Sequence, residues 1–285
     1  MSGLYAALIG PFEAFAFMRL ALVASLALAL ASGPVGAFLL LRRMSLDGSV
    51  LSHAVMPGAA AGFFLAGYSL AAMSLGGLAS GLGVAALASL AGRRETRRIE
   101  AGLIAFYLFS LAVGVLIVSF RAGNADLMNV LFGTILAVDF KALLLIALAS
   151  SVTLIVMAAI YRPLCVDTFD PAFLRSAGGG RIVGAVFTVL LAVTLVCSFQ
   201  AFGTLLAIGP LLLPAIAARL WARRAPQIIA LAIAFGLVAD YGGLLLSYHY
   251  RLPSGPAIVL CGCGLYTLSL LASALRAGFS ANPEG

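Results

Sequence analysis

Nine long apolar runs, with nearly every charge pushed to their ends, restrict this chain to one class of fold. They fall at about 14–41, 46–68, 69–91, 101–120, 130–160, 182–199, 203–218, 227–247 and 256–275. A hydrocarbon core about 30 Å thick takes roughly 20 apolar residues per helical crossing. Most of the 285 residues are therefore consumed by about eight to nine spans. In lipid every backbone N–H and C=O must pair within the protein, which long runs achieve as helices. The short alternating strands of a barrel are not seen. Apolar residues make up 63% of the chain and charged residues 9%, too few charges to cover a soluble surface of this size. The expectation is an all-α integral membrane protein in the lipid bilayer, one transmembrane domain over residues 1–285.

Two runs are irregular. The 130–160 run contains Asp139 and Lys141, so it reads as a short interfacial segment followed by a span, with the two charges near enough to pair. The 203–218 run is short and carries Pro210 and Pro214, the pattern of a kinked or broken helix. With nine spans and the N-terminus outside, Arg42, Arg43, Arg93, Arg94, Arg97, Arg98, Arg162, Arg175, Arg181, Arg219, Arg223, Arg224 and Arg276 face the cytoplasm. Only Arg19, Arg121, Lys141 and Arg251 then face out, so thirteen of seventeen basic residues lie inside. That bias orients the chain N-out and C-in. The net charge of +7 thus serves orientation rather than nucleic acid.

Cys165, Cys197, Cys261 and Cys263 show no metal-knuckle spacing and read as small membrane hydrophobes. Met1 to Pro11 lacks a basic n-region and a cleavage site, so no signal peptide is expected. Gly58-x-x-x-Gly62, Gly77-x-x-x-Gly81 and the pair Gly203 and Gly209 allow close helix approach.

Several chemistries are excluded. Lys141 is the only lysine and follows Phe140, so no Gly-Lys-Ser/Thr loop can hold ATP. Neither H-E-x-x-H nor G-x-S-x-G occurs. No catalytic residue is assigned and an enzyme is not expected. Moving a solute across the membrane is left by elimination.

Ionisable groups inside spans each need a reason, because insertion at the bilayer centre costs roughly 2.5–3.5 kcal/mol. His53 stands in Ser52-His53-Ala54-Val55-Met56-Pro57-Gly58, about 12 Å inward from a helix start near Ser45 at 1.5 Å per residue. A neutral imidazole ligates zinc, manganese or iron, although a lone helical histidine is commonly a packing group. Pro57 removes the hydrogen bond to the His53 carbonyl and predicts a kink with free carbonyls beside the imidazole, with Gly58 following. Asp240 lies in the eighth span beside Gly242 and Gly243, where a carboxylate should face a cavity or partner. His249, with Tyr248, Tyr250 and Arg251, reads as interfacial anchoring. From Tyr161 to Arg181 the chain is polar and cytoplasmic. There Asp170 caps a two-turn helix begun by Pro171 and stopped by Gly178, Gly179 and Gly180. A capped surface helix on a chain without its own energy source suggests a docking surface for a soluble partner.

Taken together these stretches resemble the permease subunits of bacterial zinc/manganese/iron ABC importers, the ABC-3 family. The pieces are Arg43-Met44-Ser45-Leu46, Leu51-Ser52-His53-Ala54-Val55-Met56-Pro57-Gly58, Ala112-Val113-Gly114-Val115, Asp126-Leu127, Leu131-Phe132-Gly133-Thr134, Asp170-Pro171, Gly203-Thr204-Leu205-Leu206 through Gly209-Pro210, and Leu252-Pro253-Ser254-Gly255-Pro256. They occur in family order over most of the chain, and Ser-His-Ala-Val-x-Pro-Gly is the most specific. The resemblance implies a homodimeric, multi-pass permease of the bacterial inner membrane with eight or nine spans per subunit. A cytoplasmic ABC ATPase dimer would dock on the segment containing Asp170, Pro171, Ala172, Arg175 and Gly178. A periplasmic metal-binding protein would deliver a divalent metal, which is substrate rather than resident cofactor. His53, Asp47, Ser49 and Asp240 are the candidates along the transit path, with Pro57, Gly58 and Pro210 as kink or gating positions.

The chain departs from the family at one telling place. Members usually carry aspartate four residues before the histidine, on the same helical face; here that position is Ser49 and the acid is Asp47, about 120° away around a regular helix. Arg251 likewise replaces a frequent acid. A carboxylate-poor site favours zinc over manganese, with manganese or iron kept as possible cargo. A secondary transporter, not coupled to ATP, is the alternative, though its usual paired halves are not found. A membrane enzyme around His53 and Asp240 is a third class and lacks a nucleophile.

Overall fold

The computed structural model describes residues 5, 7–67, 69–91, 112, 113, 116, 135–176, 179–203 and 206–280. Among these, all regular structure is helical. A short helix α1 (Gly10–Ala14) leads into α2 (Ala16–Leu41), α3 (Ser45–Ala66) and α4 (Leu70–Ala91). A 3-10 turn (Ile135–Ala137) precedes α5 (Phe140–Phe169), the short α6 (Pro171–Ser176), α7 (Gly180–Phe202), α8 (Gly209–Trp221), α9 (Ala225–Tyr250) and α10 (Ser254–Ser280). Six helices are long and apolar enough to cross a membrane, within α2, α3, α5, α7, α9 and α10. Two further apolar helices, Leu70–Ala86 and Gly209–Trp221, are shorter. The expected span at 101–120 lies outside the described residues, apart from 112, 113 and 116.

α2 runs through the middle of the bundle, against α5, α7, α8 and α9. Gly36 of α2 makes the contact with α8 possible: a Cβ there would overlap the Leu211 carbonyl. One apolar core joins Met18, Leu28, Ile146, Phe202 and Ile258. A second, toward the other end, joins Phe38, Leu39, Leu51, Leu164, Phe187 and Leu195. α3 and α4 form a hairpin that is attached to the rest mainly through α7. α1 is pinned to the far end of α9. Phe12 stacks on Tyr241 with centroids 5.4 Å apart, and the Tyr241 hydroxyl donates to the Leu8 carbonyl at 2.9 Å. His249 Nε2 lies 3.0 Å from the Ala7 carbonyl. That contact requires the proton on Nε2 and gives His249 a structural task beyond interfacial anchoring.

The hairpin's glycines pair differently from their sequence grouping. Gly58 and Gly62 of α3 meet Gly76 and Ala72 of α4 backbone to backbone, and Ser80 continues that row. Gly77 and Gly81 instead receive the Val55 side chain. Small residues on both sides bring the helices into direct backbone contact, the usual device where lipid supplies no hydrophobic drive between helices.

Four local expectations meet a different or sharper outcome. Pro57 lies inside α3, which stays helical from Ser45 to Ala66. The neighbouring Ala54 carbonyl is not left free, because the Ser80 hydroxyl of α4 donates to it at 2.7 Å. Asp139 is not needed as an ion-pair partner, since its carboxylate caps α5 by accepting from the Ala142 amide at 2.8 Å. The helix runs on past the end of its apolar run near 160: α5 continues through Pro163 to Phe169. Its 30 residues rise about 45 Å, past a core of about 30 Å. The break near 203–218 is present, with α7 ending at Gly203 (φ 86°) and α8 beginning at Gly209–Pro210. Pro210 occupies the first turn, where its missing N–H has no helical partner to lose. α8 has 13 residues and rises only about 20 Å.

Candidate functional site

His53 is set by the hairpin. Its helix packs on α4 through the glycine row and on α7 through Val55 and Ala59 against Val196 and Phe199. The imidazole is buried, 7% exposed, and Ser52 beside it is 2% exposed. Ser49 lies one turn earlier on the same face and is half-buried; its carbonyl accepts the Ser52 hydroxyl at 2.9 Å. The Asp47 side chain is outside the described residues, so its place relative to His53 is not described. Among the described residues the donors here are one imidazole, two hydroxyls and helix carbonyls.

Asp240 is also buried, 3% exposed, within α9. On that helix Gly236 faces Ala29 of α2 and Gly243 faces Ile258 of α10, which places the carboxylate inside the bundle rather than toward lipid. α9 packs on α2, α8 and α10, whereas α3 packs on α4 and α7. The two helices share no extended interface. Among the described residues no group of three or more His, Cys, Asp or Glu side chains could hold a metal ion. The four cysteines are free thiols.

The segment expected to dock a partner starts as its sequence implies. Asp170 Oδ1 accepts the Phe173 amide at 3.0 Å, and Pro171 opens α6. Ala172 and Phe173 are exposed. Gly178 and the Arg175 side chain lie outside the described residues.

Behind α6 sits a contact that sequence reasoning missed. Arg42, just past α2, holds Asp167 of α5 at 2.7 Å with side chains only 16% and 8% exposed. The same guanidinium lies 5.2 Å over the Phe187 ring of α7. One arginine thus ties three helix ends three residues before the Asp170 cap. The available signal was the amphipathic character of 161–169, with Leu164 fully buried and Asp167 one turn on. Breaking one side of a buried pair costs about 3–5 kcal/mol because the other charge stays buried, whereas replacing both with apolar groups is often near neutral. Arg42→Ala is therefore expected to lower thermal stability in detergent more than the double variant Arg42→Met/Asp167→Leu. Equal losses in the two would mean the ion pair does not organise this end.

A second missed contact joins α7 to α4. The Ser74 hydroxyl donates to the Leu70 carbonyl at 2.6 Å, so its oxygen accepts from Gln200 Nε2. Gln200 Oε1 is left buried without a hydrogen-bond partner.

The sequence model of the ABC 3 transport family matches residues 14–273. The manganese import system permease protein ScaB of Streptococcus parasanguinis is 32% identical over 259 residues, covering 90% of this chain and 91% of that protein. The manganese transport system membrane protein MntC of Listeria monocytogenes is 29% identical over 258 residues, with the same two coverages. Among solved structures, PsaBC from Streptococcus pneumoniae in complex with Fab superposes with a TM-score of 0.84 at 28% identity. That match covers 93% of this chain and 94% of that one.

Proposed function

The chain belongs to the ABC 3 transport family, and from that membership we propose that two copies form the pathway of an ATP-driven importer for a divalent transition metal. It is a multi-pass protein of the bacterial cell membrane, a permease rather than an enzyme. ATP hydrolysis belongs to a separate cytoplasmic ATPase dimer, and a periplasmic metal-binding protein delivers the ion. The single observation that carries this reading is the family match over 14–273, and the capped α6 gives the ATPase a face to grip. The whole chain acts as one transmembrane domain, oriented N-out and C-in with eight or nine spans. An exposed apolar stripe on α5 (Leu144, Leu148, Val152 and Ile155) suits a second copy, and α5 is the least buried of the six candidate spans.

His53 is the first ligand on the path in this reading, with Ser49 and Asp47 on the same helix and Asp240 on a separate one. Pro57, Gly58 and Pro210 stand where helix geometry changes during the switch. Asp170, Pro171, Ala172, Arg175 and Gly178 form the coupling surface. Manganese is the cargo we propose, because the named relatives are a manganese transport membrane protein and a manganese import permease. Zinc is the second reading, favoured by Ser49 standing where a carboxylate is usual, since loss of a hard oxygen anion shifts preference toward zinc.

The test is metal entry into proteoliposomes holding the permease, its ATPase and its binding protein. ATP-dependent manganese uptake that excess zinc fails to outcompete supports the first reading; the reverse order of preference moves the assignment to zinc. Uptake that proceeds without ATP hydrolysis would make the chain a secondary transporter.

A further inference from the structure

At the arginine-rich end of the bundle, α2, α5 and α9 enclose an open apolar groove of about 520 Å³, within the roughly 300–1,000 Å³ of small-molecule pockets. Phe38, Tyr161 and Pro226 line its rim end, and Pro34, Leu154 and Ile233 its deep end. Phe38 and Tyr161 pack edge to face, 5.9 Å between centroids. From Pro226 to Ile233 the groove follows α9 for about 10 Å at 1.5 Å per residue. It lies within membrane-crossing helices, so water is not its natural filler.

The charge around the rim says what is. Arg224 is the N-cap of α9, two residues before Pro226, and Arg223 precedes it. Arg162 follows Tyr161 directly, and all three arginines are exposed. Of the described acids at this end, Asp167 is held by Arg42 and Asp170 caps α6, so neither neutralises them. An apolar slot whose rim residues adjoin exposed arginines, none paired with a described acid, suits an acyl chain under a phosphate.

We propose that this groove is a binding site for an anionic phospholipid, its chain between α2, α5 and α9 and its phosphate against Arg223 and Arg224. On the N-out orientation this is the cytoplasmic leaflet, whose anionic headgroups favour juxtamembrane arginines. The lipid then fills the space beside Arg42, Phe38 and Tyr161, close to the proposed docking end.

The proposal is tested on the purified permease–ATPase complex by native mass spectrometry, with phosphatidylglycerol or phosphatidylethanolamine as the added lipid. Retention should favour phosphatidylglycerol, and Arg223→Gln and Arg224→Gln should each weaken it about fivefold. Both residues are exposed, so these variants should fold. Ala158→Phe, placed in the groove wall, should lower lipid retention while the complex stays assembled. Equal retention of the two lipids, or wild-type phosphatidylglycerol retention in the double arginine variant, overturns the site. If Ala158→Phe dissociates the two copies and leaves lipid preference intact, the groove belongs to a second copy and the proposal fails.

Discussion

Gly58→Ala is expected to destabilise the protein by more than a surface change ever does, and Gly58→Leu to prevent recovery of a monodisperse complex. The reason is what lies opposite. A methyl at Gly58 would overlap the Gly76 carbonyl and press on the Ser80 hydroxyl; a methyl at Gly76 would overlap the Gly58 carbonyl. Backbone atoms cannot rotate aside as a side chain does, so the two helices have to move apart. Overpacking a well-filled core costs about 1–3 kcal/mol, and here the separation also breaks the Ser80 bond to the Ala54 carbonyl. Because both methyls would open the same crossing, Gly58→Ala and Gly76→Ala should be clearly non-additive in a double-mutant cycle. Gly83, on the same α4, has open space around its would-be Cβ, so Gly83→Ala serves as the neutral control. Thermal melting of the purified protein in detergent reads all four. A Gly58→Ala protein that melts with Gly83→Ala would show that the α3–α4 crossing is looser than its backbone contacts require.

The helical membrane class was legible because apolar run length depends on bilayer thickness and little else. The α6 start was legible too, since Asp170 followed by Pro171 satisfies an N-terminus without outside help. The end of α5 was not. The apolar run ends near 160, but Leu164 is buried among Phe38 and Phe187, and Arg42 reaches across from another helix to Asp167. Tertiary contacts outweigh the local signal there. The glycine motifs announced close packing without saying what packs: Gly58 meets Gly76, and not the Gly77 of the neighbouring motif. At the candidate site, burial of His53 and Asp240 followed from their positions in apolar runs. Their placement on helices with no extended shared face did not, because spans distant in sequence carry no record of which neighbours they choose.

His53→Ala is expected to cut ATP-dependent metal uptake by about 10–100-fold, the range seen when a group supporting a metal site is removed, while leaving complex assembly intact. The imidazole is the one described His or carboxylate side chain buried on the α3–α4 hairpin. If His53 ligates the ion as proposed, its loss removes the imidazole donor from that helix. Loss of a packing group alone would behave differently, lowering stability and changing all substrates equally. His53→Asp separates the two accounts. A carboxylate keeps a donor at the same place but is harder than imidazole, so manganese should regain more uptake than zinc. A packing role predicts no such change in preference, because a charged aspartate fills the space worse than alanine in a buried setting. Uptake of manganese and zinc by wild type, His53→Ala and His53→Asp, each with melting temperature and bound ATPase measured alongside, distinguishes the readings. If His53→Ala transports like wild type, the histidine is part of the hairpin's packing. The path must then run past Asp240 or through donors outside the described residues.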